Sequence, residues 1–127
     1  MATYRTDQSY IASTEDLPWA CAPAPGISYK SLRFDPETGA GAVLIHMTPH
    51  ATYPRHVAHA GMDLLILDGE VEYNGIRVRR GGFIHVPPGT ENQPKTVEGC
   101  VMYATFAGRV ENVHGDWRLP QPATAPA

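Results

Sequence analysis

Six histidines in 127 residues are many for a chain of this length. They stand at His46, His50, His56, His59, His85 and His114. Imidazole ligates transition metals, and it takes and returns protons near neutral pH. Ligation needs several such groups converging on one point, so spacing decides. On a strand, residues two apart point to the same face. His56 and His59 are three apart, which puts them on opposite faces unless a bulge at Val57-Ala58 turns both inward. Asp63 follows His59 after three intervening residues and adds a carboxylate. His46 shares a strand face with Leu44, as a core or mouth histidine or as a site residue. His85, between Ile84 and Val86, faces either a cavity or the outside. His50 and His114 read as surface residues. The acid–base candidates are therefore His56, His59, His46 and His85.

The substrate-contacting candidates are uncharged. Asn92 carries both a donor and an acceptor, which suits a carbonyl or hydroxyl group. Tyr53, Tyr73 and Tyr103 are amphipathic groups that pack a core or touch a ligand. Met62 makes an adaptable apolar wall, better suited to an organic molecule than to a bare ion. Arg77, Arg79 and Arg80 cluster beside a turn, the pattern of a solvated edge that discourages strand addition. Ten basic and 13 acidic residues give a net charge of −3, with no footprint for nucleic acid or an anionic membrane. Two cysteines, Cys21 and Cys100, are too few for a disulfide framework or a zinc knuckle. Met1 to Tyr10 lacks the apolar run of a signal peptide, and the longest apolar stretch, Leu64 to Leu67, is far short of a membrane span. A soluble, cytoplasmic protein is expected.

The elements that must position these residues read as strands. Gly and Pro number 12 each, together well above their usual share of about 12%. That excess argues against a helical bundle and for short strands joined by tight turns. Strands are expected at Ile27–Phe34, Ala42–Thr48, Asp63–Leu67, Glu70–Tyr73, Ile76–Arg79, Phe83–Val86, Lys95–Val97 and Val101–Ala107, with a final one near Asn112–His114. Asp35-Pro36-Glu37-Thr38-Gly39 and Asn74-Gly75 are turn signals, and Asp68-Gly69 reads as a hairpin dipeptide. Turns recur every eight to twelve residues, the spacing of a sandwich or barrel. Residues 1–26 form a Pro-rich arm whose Trp19 is an anchor, on the body or on a second subunit. Residues 27–114 form the all-β domain, and 115–127 a mobile Pro/Ala-rich tail.

Two stretches between His50 and Asn92 resemble the signature motifs of the cupin superfamily of double-sheet jelly rolls, the double-stranded β-helix. In the first, Gly69 closes the motif, with Met62 at the Glu place, Ala58 and His56 at the two His places, and His50 at the leading Gly. In the second, Gly81, Pro87 and Gly89 fall in register and Asn92 stands at the His place. The wider pattern, from Leu17-Pro18-Trp19 through Asp35-Pro36-Glu37-Thr38-Gly39 to Gly99-Cys100, is similar to the ChrR-like branch. That branch includes anti-sigma-factor cupin domains and dioxygenases cleaving dihydroxyacetophenones or β-diketones.

The resemblance implies a small organic substrate, ketone- or enol-like or aromatic, held in the barrel. It also implies one divalent ion, iron, zinc or nickel. His56, His59 and Asp63 would be a one-residue slipped version of the family's ligand set. The degenerate ligand places favour a barrel without metal, in which histidines run isomerisation, dehydration or cyclisation. A ligand-binding or regulatory module is the alternative. Symmetric pairing into a homodimer is expected, because a small barrel with a Pro-rich apolar arm has edges to cover.

Overall fold

A computed structural model describes residues 3–4 and 9–112. His114 and the expected tail at 115–127 lie outside the described residues, as does part of the final strand expected at Asn112–His114. The strands, in chain order, are β1 (Thr3–Tyr4), β2 (Tyr10–Ile11), β3 (Ala20–Cys21), β4 (Ile27–Phe34), β5 (Gly41–Met47), β6 (His56–Ala58), β7 (Met62–Tyr73), β8 (Ile76–Arg79), β9 (Phe83–Val86), β10 (Glu91–Asn92), β11 (Cys100–Phe106) and β12 (Val110–Asn112). A short 3-10 turn at Thr14–Asp16 is the helical content of the described residues, and no helix there is long and apolar enough to cross a membrane.

The large sheet runs β3-β4-β5-β11-β7-β8, with β9 also on β7; the small sheet runs β10-β6-β12. Every named pairing is antiparallel. Strict alternation builds the inner face. Gly41, Val43, Ile45 and Met47 on β5 are buried, as are Cys100, Met102, Ala104 and Phe106 on β11. Register places them side by side, Met102 opposite Ile45 and Phe106 opposite Gly41. Ala58 and Val110 of the small sheet join the same buried cluster. One core therefore fills the space between two sheets: a jelly-roll barrel.

Two expected elements differ. Asp68-Gly69 is no hairpin, because β7 runs through it; the first half pairs with β11 and β9, and Glu70–Tyr73 pairs with β8. Lys95 makes isolated bridges to Thr52 and Glu72 rather than belonging to a strand. In the arm, β3 pairs with the outer edge of the large sheet. Trp19 lies under the Lys30 ammonium, 4.8 Å from ring centroid to nitrogen, with His46 5.8 Å away. The anchor holds its own body.

Candidate functional site

Inside the barrel, the small sheet supplies the polar groups. His56 opens β6 and is 4% exposed. Directly across from it on β10 stands Asn92, also 4% exposed. Paired residues share a face, so both side chains point into the lumen. The carbonyl of Pro54 accepts a hydrogen bond from His56 Nδ1 at 3.0 Å, and the Tyr53 ring meets the imidazole edge-on at 4.9 Å. Burial lowers the affinity of His56 for a proton, partly offset by the Pro54 contact. The ring is thus neutral near pH 7, with its lone pair on Nε2. Burial pushes the Tyr53 hydroxyl far above its ordinary range. Neither Nδ2 nor Oδ1 of Asn92 has a hydrogen-bond partner among the described residues. Met62, buried at the start of β7, adds an apolar wall.

His59 does not join them. It follows β6 in a turn, half-exposed, with its backbone N–H donating to the Arg109 carbonyl at 3.0 Å. Its ring lines a cleft of about 630 Å³ at one mouth of the barrel, between the Asp35–Gly39 turn and the loop before β12. Phe34, Val43, Phe106 and Val110 make the apolar walls; Arg33, Glu37 and Arg109 bring charge. Glu111 reaches His59 from behind. One carboxylate oxygen lies 3.4 Å from His59 Nε2 and the other 2.8 Å from Arg109 Nε. A register of Glu111 opposite Val57 makes this reach possible.

Four other expected site residues, His46, His85, Asp63 and Tyr103, lie on the outer face of the large sheet. His46 pairs with Val101, away from the lumen, and packs on Trp19. His85 is opposite Asp63, and their Nδ1 and Oδ1 atoms are 2.7 Å apart. Alternation along β7 buries Met62 and turns Asp63 outward, so His56, His59 and Asp63 are directed to three different places. Tyr103 shares that outer face in register with Leu65. His50 is exposed in a turn with φ 68°.

The profile of the ChrR Cupin-like domain matches residues 7–111. The chain belongs to that family. A comparison with curated proteins found no match. Among solved structures, the cupin is similar to acetylacetone dioxygenase from Acinetobacter johnsonii, at 15% identity and TM-score 0.73, over 87% of this chain and 81% of that one. It is similar to the polyketide cyclase RemF from Streptomyces resistomycificus, at 18% identity and TM-score 0.66, over 84% and 86%. The Rhodobacter sphaeroides anti-sigma factor ChrR, solved with SigE, gives 21% identity and TM-score 0.64, over 74% of this chain and 51% of that one. At these identities the likeness is one of fold.

The family resemblance puts the metal-ligand places of this cupin at His56, Ala58, Met62 and Asn92. Ala58 has no donor, and a neutral thioether and a neutral amide are weak ligands for divalent iron, zinc or nickel beside imidazole and carboxylate. Among the described residues, no group of three or more His, Cys, Asp or Glu side chains comes together to hold an ion. One imidazole cannot replace the hydration shell of such an ion, so these residues do not fit it. Sequence reading missed Arg33, Arg109 and Glu111. Alternation around Val110 shows that Arg109 and Glu111 share a face, but their approach to His59 depends on the β12–β6 register.

Proposed function

We propose that this cupin acts on a small organic molecule, ketone- or enol-like or aromatic, bound in the mouth cleft, with His59 as its acid–base group. The observation carrying this reading is a histidine on the wall of a 630 Å³ cleft, backed by a carboxylate that is itself held by an arginine. The volume falls in the usual range for ligand sites, about 300–1,000 Å³. Phe34 and Phe106 offer apolar faces to the substrate body. With Nε2–H directed at Glu111, His59 takes a proton at Nδ1 from a carbon beside a carbonyl. Glu111 then steadies the imidazolium, and Arg109 balances the carboxylate. Return of the proton elsewhere on the substrate completes an isomerisation, dehydration or cyclisation.

A chelator-treated preparation tested against a panel of enolisable ketones and hydroxylated aromatic ketones decides the matter. Turnover that survives chelation and falls at least about a hundredfold in His59→Gln, the usual weight of a general base, is the expected result. Turnover that needs added metal and ignores His59→Gln overturns it. A second reading, a ligand-responsive regulatory module, draws support from the likeness to ChrR; it predicts binding on the same panel without product.

The cupin works, in this proposal, as a homodimer joined through the outer face of the large sheet. Register aligns Phe83, Leu65, Tyr103, Leu44 and Lys30 in one row, and His85, Asp63, Thr105, Ala42 and Arg33 in the next. Phe83 is 63% exposed, and Leu65 and Leu67 are also open to solvent. A two-fold axis along β11 lays the Asp63 side of one copy over the Arg33 side of the other. Arg33 has no ion-pair partner among the described residues.

A further inference from the structure

We infer that the outer edge of β8 is a docking site for an extended segment of another protein, one that alternates carboxylate and apolar side chains and adds to the sheet as a strand. β8 ends the strand order of the large sheet, and among the described residues it pairs with β7 alone. The backbone bonds of β7 show which groups of β8 face the other way. Glu72 exchanges both of its backbone bonds with Lys95, at 2.6 and 3.1 Å, and the Glu70 N–H donates to the Gly99 carbonyl. In the ladder Glu72 is opposite Arg77, and Glu70 is opposite Arg79. Antiparallel pairs alternate between hydrogen-bonded and non-hydrogen-bonded, and in the second kind both residues point their backbone groups outward. Arg77 and Arg79 therefore turn their N–H and C=O groups away from β7. The Arg79 carbonyl accepts from the Gly82 N–H at 2.8 Å. The Arg77 N–H, the Arg77 C=O and the Arg79 N–H have no backbone partner among the described residues. Such a row is a template for one more strand.

Charge selects that strand. Arg77, Arg79 and Arg80 are all exposed. Arg77 Nε is 3.9 Å from the buried Glu70 carboxylate, while Arg79 and Arg80 have no ion-pair partner among the described residues. Across the β7–β8 ladder, Glu72 is the one exposed carboxylate against these cations. Arg77 and Arg79 are two apart and share a face, so an incoming strand meets them with residues two apart. Carboxylates at those places make cross-strand ion pairs. The residue between them falls on the side of Ile76, which is 66% exposed, and half-buried Val78; an apolar group covers both.

The same charges reject a second copy of this chain. Pairing β8 of one molecule with β8 of another sets arginine against arginine, and like charges directly opposite are unfavourable. The cluster that reads in the sequence as a guard against strand addition thus guards against its own kind and admits an acidic strand.

The test uses an end-capped, fluorescein-labelled peptide of alternating glutamate and valine, about six residues long, the usual length of a strand. Anisotropy measures its binding to the full chain, and amide hydrogen exchange by NMR locates it. Saturable binding is expected, with exchange of the Arg77 and Arg79 N–H groups slowed about tenfold when free peptide is at about ten times its Kd. A peptide of equal charge with proline at a central place loses a ladder donor and should bind about tenfold more weakly. Arg79→Glu should weaken the valine peptide about fivefold or more, the worth of a good exposed ion pair. No saturable binding up to millimolar peptide overturns the inference. Equal binding of the proline peptide does so too, since charge alone would then explain the contact, as does protection that falls on another strand edge. If Arg79→Glu does not fold, the proline comparison on the parent protein still decides. His59→Gln should leave peptide binding intact, so failure of the cleft reading and failure of this one are distinguishable.

Discussion

Glu70 and His56 are both buried, and each is held in one charge state. Glu70 is 1% exposed, yet one of its oxygens accepts from the backbone N–H groups of Val97 and Glu98, both at 2.8 Å, and from the Thr96 hydroxyl at 3.1 Å. Burial works to raise its carboxyl, but those donors and Arg77 outweigh it and hold the group below its ordinary 4.5. A depressed acid contributes stability above pH 4.5 that is lost as pH falls through the folded value. His56 acts in the same direction at higher pH. Its folded value is lowered from 6.5, so the unfolded chain binds a proton first and stability declines as pH drops below 6.5. Thermal melts followed by circular dichroism should show two acid steps. His56→Gln removes the upper one, and an unchanged upper step in that variant contradicts the assignment. Glu70→Ala strands three donors and should cost about 3 kcal/mol, lowering the melting temperature by roughly 10 °C.

At the scale of elements, β7 is the piece that joins the two parts of the large sheet. It changes partners at Gly69, whose φ is 74° and whose place for a side chain is occupied by the Gly99 carbonyl and the Cys100 Cα. Gly75, in the turn between β7 and β8, has a similar φ of 79° but open space around it. The two glycines separate conformation from contact. Gly75→Ala should cost about 1 kcal/mol, the penalty of a left-handed backbone. Gly69→Ala adds a backbone clash and should cost at least about 2 kcal/mol more. Denaturant melts of the pair measure the difference. Equal losses would mean that Gly99 moves aside freely.

Among the described residues, one broad face is left uncovered, and the described part of the arm does not reach all of it. Trp19 packs at the Lys30 and His46 side, while Leu65, Leu67 and Phe83 stay open at the other. A dimeric mass at micromolar concentration is expected by light scattering, and a monomer for Phe83→Lys. Reversing charge in Arg33→Asp should weaken the dimer, and adding Asp63→Arg should restore it. A monomeric parent, or a Phe83→Lys dimer, removes this face from consideration.

How much of this was legible in the residues depends on the range of the forces involved. Period-two alternation and turn chemistry are local, so Ile27–Phe34, the Asp35–Gly39 turn, the Asn74-Gly75 turn and Phe83–Val86 could be read directly, and motif spacing pointed to the jelly roll. Asp68-Gly69 misled because its backbone conformation serves a hairpin and a strand bend alike; only pairing with β11 and β8 chose between them. The sequence alone also established that the ligand places hold one imidazole, since that is a matter of residue identity. Where the histidines point was a different matter. A strand has two equivalent faces, and which one meets the core depends on partners distant in the chain. That choice sent His46 and His85 outside, placed His59 at a mouth beside Glu111, and put Asn92 across from His56 in the interior.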